Sequence, residues 1–156
     1  MKIRLIAVGT KMPNWVESGV AEYKKRFPSD FSLSVTEIPL ANRSKNTPVG
    51  PAIEKEAKGL MSACGKDDFV VALDVLGQSL STENLAEKIN KVRDDGRDIS
   101  LLIGGPDGLA GSCIEASDGC WSLSALTLPH PIVRVVLVEQ IYRVWSILNN
   151  HPYHRS

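Results

Sequence analysis

The sequence lacks several features that would place it in a special class of protein. No apolar run approaches the ~20 residues that a membrane-spanning helix needs. The start of the chain, residues 1–9, runs into a glycine instead of the longer apolar stretch of a secretory signal. We therefore expect a soluble cytoplasmic protein with no membrane partner.

Cysteine is scarce. Cys64, Cys113 and Cys120 are odd in number, and no two of them are closely spaced. A disulfide framework or a zinc site requires paired spacing, so neither is expected. We expect no bound metal and interpret the three cysteines as small, buried apolar residues.

The glycine-rich motifs of two large nucleotide-binding classes are also missing. A G-x-G-x-x-G fingerprint built on Gly105 and Gly108 would need its first glycine at Ile103. The P-loop pattern G-x-x-x-x-G-K-[ST] is absent as well. NAD chemistry and P-loop nucleotide hydrolysis are therefore weakly supported.

What the chain does have is ordinary globular composition. Its 156 residues are 43% apolar and 23% charged, which excludes a disordered or fibrous protein. This length suits one domain, residues 1–156, with a core that needs no covalent staples.

The net charge is zero, but the charges are segregated along the chain. Residues 1–66 carry 11 basic and 6 acidic side chains, and the remainder carries 7 and 12. The first part could therefore attract phosphate although the whole chain is neutral. The alternative is that these charges only solvate the exposed faces of ordinary helices.

Strand and helix patterns alternate along the whole chain. Such alternation predicts an α/β fold, a mostly parallel sheet with helices on both faces. Two prolines and polar residues mark a loop at 40–51, which carries Arg43 and Lys45 at its tip. The predicted strands are 2–9, 31–38, 69–75, 98–105 and 121–126, and the predicted helices are 13–27, 52–64, 81–93, 108–116 and 131–149.

The last predicted helix is apolar on almost its whole circumference. One face of a sheet cannot cover that much apolar surface, which favours a second copy of the chain as its partner. The alternative is a helix buried centrally within one chain.

Three segments at predicted strand ends are the candidate ligand site, because open α/β sheets bind ligands there. They are residues 73–77, 103–108 and 123–131. The last has small and apolar side chains and two prolines, which suits a flat apolar heterocycle recognised through main-chain hydrogen bonds. His130 within it is interpreted as a structural residue near the start of the last helix.

The tail after the last helix combines imidazole, phenol and guanidinium groups in residues 151–156. A tail is usually disordered. These groups can nevertheless stack on a base, contact phosphate and move a proton, so a functional role is the alternative to a disordered tail.

Five motifs together resemble the RlmH family of SPOUT methyltransferases. They are AVGTKMP at 7–13, LIGGP at 102–106, WSLSALTLPHP at 121–131, RV at 134–135 and NHPYHR at 150–155. The resemblance covers the whole chain. It implies a homodimer with a C-terminal trefoil knot, whereas the strand pattern alone predicts an unknotted sheet. The implied activity is S-adenosylmethionine-dependent methylation of N3 of a pseudouridine in 23S ribosomal RNA, on the assembled ribosome.

Roles can then be given to individual residues. Our hypothesis is that His154 or Tyr153, from the partner subunit, assists removal of the proton. We also hypothesise that Arg155, Arg143, Arg43 and Lys45 contact RNA. The cofactor contacts carried over are Leu73, Gly104, Gly105, Leu123, Ser124, Ala125, Leu126, Thr127 and Leu128.

Two other functions stay open at this point. One is a non-catalytic RNA- or ribosome-binding module on the same α/β core, which would have no cofactor affinity. The other is a flavodoxin-like binder of a small molecule, whose cofactor would give a visible absorption spectrum.

Overall fold

The computed structural model describes residues 1–155, in which strands and helices alternate as predicted. The elements in chain order are β1 (Lys2–Val8), α1 (Asn14–Lys24), β2 (Ser32–Ile38), α2 (Val49–Ala63), β3 (Phe69–Ser79), α3 (Thr82–Asp94), β4 (Ile99–Ile103), α4 (Gly111–Ala116), β5 (Gly119–Ser122) and α5 (His130–Leu148).

All five strands pair in parallel in one sheet, in the order β2-β1-β4-β3-β5. Leu101 of β4 lies opposite Leu5 of β1 on one side and Val71 of β3 on the other. Every residue of β4 is buried, as expected for a central parallel strand covered on both faces. The parallel α/β fold is thereby confirmed.

The helices divide between the two faces of the sheet. Helix α5 packs against α1 and α3, whereas α2 packs against α4 on the other side. Alternate side chains of β1 point to opposite faces of the sheet. Ile3 and Leu5 therefore belong to the core on one face, and Ile6 and Val8 to the core on the other. Because the five strands are parallel, their carboxyl ends lie at the same edge of the sheet, where a ligand can approach them.

Strand β5 ends earlier than the predicted 121–126. It stops at Ser122, and residues 123–129 form an irregular loop before α5. The Ser122 hydroxyl donates to the Ser124 carbonyl oxygen at 2.9 Å, which turns the chain away from the sheet. The apolar composition of 123–126 suggested a strand, but a local side-chain hydrogen bond decided otherwise.

Strand β3 continues past its predicted end at residue 75. Its pairing with β5 is interrupted after Leu73 and resumes at Gln78 opposite Trp121. At Gly77, a Cβ atom would lie 2.8 Å from the Cys120 carbonyl carbon, so only glycine permits this approach. The close contact between two backbones explains an extension that side-chain patterning does not reveal.

Helix α5 is covered by its own chain on one side. Leu137, Val138, Ile141 and Val144 are all 1% exposed or less, packed in the core shared with the sheet and α3. Other apolar residues of α5 are only half-buried and Ile132 is exposed, so the helix is not centrally buried in one chain, and the homodimer stays a prediction. The trefoil knot also stays a prediction.

No helix within residues 1–155 is long and apolar enough to cross a membrane.

Candidate active site

A cavity of about 640 Å³ opens at the ends of β4 and β5, beside residues 73–75 of β3 where its pairing with β5 is interrupted. Ligand sites of small molecules commonly fall in this range of volume, and this edge of an α/β sheet is where they occur. The lining residues are Leu73, Asp74, Val75, Ile103, Gly104, Gly105, Pro106, Gly108, Ser122, Leu123, Ser124, Leu126, Thr127, Leu128, Pro129, His130 and Val133.

The wall after β4 is a tight glycine turn. The Gly108 backbone N–H donates to the Gly105 carbonyl oxygen at 3.0 Å, and Gly108 has a positive φ of 78°. A Cβ atom on Gly104 would lie 2.5 Å from the Gly108 carbonyl carbon. No side chain fits between residue 104 and Gly108, so the turn requires glycine at position 104.

The cavity wall after β5 is a loop whose conformation is held by hydrogen bonds of two of its serines. The Ser124 carbonyl accepts from Ser122, and the Ser124 hydroxyl accepts from the Leu126 backbone N–H at 3.0 Å. Leu126 itself is 72% exposed at the cavity mouth. The loop therefore presents apolar side chains and backbone groups in a shape set before any ligand binds.

The structure brings most of the predicted cofactor contacts together. Eight of the nine line the cavity, and only Ala125 is absent from the lining. Sequence reasoning did not assign contacts to several other lining residues, notably Asp74, His130 and Val133. Asp74 and His130 lie within the strand-end segments chosen from the sequence, whereas Val133 lies two residues beyond the last of them.

A buried arginine lies behind the start of α5. Arg134 is 3% exposed and donates to the Glu37 carboxylate at 2.6 Å and to the Gly9 carbonyl oxygen at 2.7 Å. It thereby ties α5 to the ends of β1 and β2. Burial, followed by the nearby Arg134 charge, lowers the pKa of His130 below its usual value. His130 is therefore neutral at physiological pH, which fits a structural residue of the cavity wall.

The tail is not free, because aromatic contacts hold it against α5. The Tyr153 ring packs edge-on against Tyr142 at 4.7 Å, and the Arg143 guanidinium lies 4.9 Å above the Tyr153 ring. The Tyr153 hydroxyl donates to the Glu139 carboxylate at 3.0 Å. Burial and this hydrogen bond raise the pKa of Tyr153, so in this arrangement it keeps its proton and acts as a donor.

His154 lies between a cation and an anion. Its Nδ1 atom is 3.3 Å from Arg143 Nη1, and its Nε2 atom is 3.4 Å from a Glu83 carboxylate oxygen. Because a guanidinium only donates, Nδ1 must accept, and the ring proton lies on Nε2. The imidazole is thereby oriented with one basic nitrogen directed at Arg143.

Within one chain the tail and the cavity do not meet. Val133 lines the cavity and Arg143 holds the tail, and these positions are ten residues apart, about 15 Å along α5. Tyr153 and His154 are not among the residues that line the cavity.

The four predicted RNA contacts differ in their surroundings. Arg43 is engaged by the Glu56 and Asp107 carboxylates, and Arg143 by Glu139. Lys45 and Arg155, in contrast, are exposed.

Comparison with known proteins adds the family to this geometry. The family model described as "Predicted SPOUT methyltransferase" matches residues 1–154. A relative from Marinomonas sp. (strain MWYL1), named Ribosomal RNA large subunit methyltransferase H, is 54% identical over 155 residues, which are 99% of this chain and 100% of the relative.

Solved structures agree on the fold. A probable methylase family protein from Haemophilus influenzae Rd KW20 aligns with a TM-score of 0.62 at 13% identity, over 99% of this chain and 70% of that one. A probable methyltransferase from Bordetella pertussis Tohama I aligns with a TM-score of 0.59 at 17% identity, over 91% and 95%. From the family match and the close relative, the chain belongs to the SPOUT methyltransferases and, within them, to the RlmH family.

Proposed function

We propose that this chain transfers a methyl group from S-adenosylmethionine to N3 of a pseudouridine in the 23S RNA of the large ribosomal subunit, in the cytoplasm. The observation that carries the proposal is the cavity, in a chain 54% identical to a relative named as a large-subunit ribosomal RNA methyltransferase.

The cavity fits the cofactor in size and chemistry. Its volume of about 640 Å³ is within the range of pockets that bury a ligand of this size. Gly104 and Gly105 line the cavity with backbone and no side chain, which admits a bent molecule close to the chain. Leu123, Leu126 and Leu128 supply apolar walls for an adenine ring.

S-adenosylmethionine supplies a methyl carbon activated by a positively charged sulfur. The residues of the chain hold this group in position while N3 of the base forms a bond to carbon and the carbon–sulfur bond breaks. Alignment of the two reactants contributes about 7–11 kcal/mol in favourable cases, whereas a general base contributes about 10²- to 10⁴-fold in rate. The fixed shape of the 104–108 turn and the 122–126 loop is therefore the main contribution of the cavity.

The N3 proton must leave during the transfer, and we assign its removal to Nδ1 of His154 of a second copy of the chain, which exchanges its contact with Arg143 for the N3 proton. The separation of about 15 Å along α5 supports a partner subunit as the source of the tail. Tyr153 is the second candidate, but its raised pKa and its hydrogen bond to Glu139 favour a role in which it donates. The homodimer is thus part of the proposal.

We assign RNA contacts first to the exposed Lys45 and Arg155, and then to Arg143. The chain has no net charge, so we expect few phosphate contacts. Recognition then depends on the folded shape of the ribosomal RNA, which favours the assembled ribosome as substrate.

The decisive experiment is transfer of a labelled methyl group to ribosomes that lack the modification. We expect label on one pseudouridine of 23S RNA in assembled ribosomes, and little label on free RNA. A log–log salt slope near the roughly −10 of a strongly phosphate-bound protein would contradict recognition by shape. A non-catalytic RNA-binding module would bind ribosomes without taking up the cofactor, and neither label nor cofactor binding would then be seen.

A further inference from the structure

Arg43 makes an unusually complete set of contacts for a residue in a loop. Its Nη1 and Nη2 atoms donate to the two Glu56 carboxylate oxygens at 2.7 and 3.1 Å. Its Nη1 also donates to the Ala41 carbonyl oxygen at 2.8 Å, and its Nε donates to the Asp107 carboxylate at 2.7 Å. The whole fork of the guanidinium is therefore used within the chain.

The buried Glu56 carboxylate holds the Arg43 guanidinium in an ion pair within the chain. Glu56 is only 3% exposed on α2, and its carboxylate also accepts from the Ala41 backbone N–H at 2.9 Å. A buried carboxylate needs a fixed counter-charge, and within residues 1–155 Arg43 is the cation in ion-pair contact with it. Arg43 is consequently held in place and has little freedom to turn toward a phosphate.

The remaining contact of Arg43 reaches the cavity wall. Asp107 belongs to the turn of residues 104–108, four of whose five residues line the cavity. Leu40, three residues before Arg43, lies near the same turn, since a Cβ added to Gly105 would be 3.3 Å from Leu40 Cδ1. The Arg43–Asp107 ion pair is thus the contact that joins the loop after β2 to the turn after β4.

A glycine-rich turn needs such an external support. Gly104, Gly105 and Gly108 place few restrictions on their own backbone angles, so the turn by itself has many conformations of similar energy. Any fraction of time spent in other conformations weakens ligand binding in proportion. A fixed guanidinium bonded to Asp107 removes part of that freedom.

We propose that Arg43 is a positioning residue for the methyl donor: anchored on Glu56, it holds Asp107 and so keeps the 104–108 turn in its binding shape. This inference rests on the proposed function, in which the cavity takes S-adenosylmethionine. It gives Arg43 a role different from the RNA contact predicted for it from the sequence.

The cleanest test removes Asp107, because it is partly exposed and its loss leaves the Arg43–Glu56 pair intact. We expect Asp107→Ala to bind S-adenosylmethionine about three- to fivefold more weakly by calorimetry, the range of a partly exposed ion pair. At saturating donor kcat should stay within about twofold, and KM for the ribosome should not change. Asp107→Glu, which keeps the carboxylate, should recover most of the donor affinity.

The matched control is Glu115→Ala. Glu115 is an exposed acidic residue on α4 with no ion pair within residues 1–155. This variant removes the same charge from the same side of the chain, and its donor affinity should equal that of the wild type. The comparison separates loss of the Arg43 contact from a general change of charge.

Arg43 itself is tested with the counter-charge removed. Arg43→Ala alone leaves Glu56 buried without a partner and can unfold the chain. The double variant Arg43→Ala/Glu56→Gln avoids this, and its donor affinity should fall as in Asp107→Ala. Adding Asp107→Ala to the double variant should weaken donor binding no further, because both act through one contact.

The outcomes are distinguishable. If Asp107→Ala binds the donor as tightly as the wild type, the inference is overturned, and a raised ribosome KM in the Arg43 variant would then identify Arg43 as an RNA contact. If the wild type itself binds no S-adenosylmethionine, the proposed function is overturned and the inference with it.

Discussion

The cavity and the tail are built from opposite kinds of residue. Backbone, glycine and apolar side chains form the cavity, whose shape is set by hydrogen bonds within its own loops. Charged and aromatic side chains form the tail, and Tyr153 and His154 are each held by residues of α5 or α3. One region is suited to holding a cofactor and the other to handling a base and its proton.

The two regions also lie at different places on α5. The cavity lies at its first turn, and the tail folds back onto its last turns. A reaction that needs both must bring them together, and a second copy of the chain is the simplest means. We therefore expect that separate mutations can affect binding of the methyl donor and removal of the proton.

The largest effect is expected from His154→Ala. If this imidazole removes the N3 proton, single-turnover methylation should slow by about 10²- to 10⁴-fold while donor affinity stays unchanged. The control is His151→Ala, since His151 packs on the Trp145 ring in the same tail. An unchanged rate in His154→Ala would eliminate it as the base.

Gly104→Ala should change the shape of the cavity and leave the structure of the tail unchanged. The added Cβ would lie 2.5 Å from the Gly108 carbonyl carbon, so the turn must move. We expect donor affinity to fall by about 10- to 100-fold, the usual range for overpacking of this kind. Gly111→Ala is the matched control, because a Cβ there meets nothing within 4 Å and its donor affinity should be unaffected.

Mixing the two variants, at a donor concentration too low for Gly104→Ala alone to react, tests whether the site is shared. In a homodimer with sites built from both copies, random exchange of Gly104→Ala and His154→Ala chains gives intact sites as about a quarter of the total. Methylation should recover to about that fraction of the wild-type rate. A mixture that stays inactive although the subunits exchange would show that each chain uses its own tail.

Tyr153→Phe should have a smaller effect, mostly on stability. It removes the hydrogen bond to Glu139 and should lower the free energy of unfolding by about 1 kcal/mol, measured by urea denaturation. The rate should fall less than tenfold, because Tyr153 donates a hydrogen bond and keeps its proton. A loss of 100-fold or more would instead make Tyr153 the base.

The smallest effect concerns His130 in the cavity wall. Because the folded state lowers its pKa, the unfolded state binds the proton more readily, and stability falls as the pH drops through about 6.5. His130→Asn should therefore lose less thermal stability between pH 7 and pH 5 than the wild type does. An equal loss in both proteins would mean that other groups cause the acid sensitivity.

Local patterns located the cavity because its parts are short and contiguous. The segments 73–77, 103–108 and 123–131 could be chosen from strand ends, and they contain nearly all of its lining. The contacts that support the cavity could not be chosen in this way. Arg43 is 64 residues from Asp107, and Arg134 is 97 residues from Glu37, so neither pair has a sequence signature.

The order of strands and helices, and the edge of the sheet where the cavity opens, follow from the amino-acid sequence, since hydrophobic period and turn residues act over a few positions. The place of the tail on α5, the buried Arg43–Glu56 pair and the irregular end of β3 follow only from the tertiary structure. Each depends on which distant segments meet, and packing decides that for the chain as a whole rather than for any one segment.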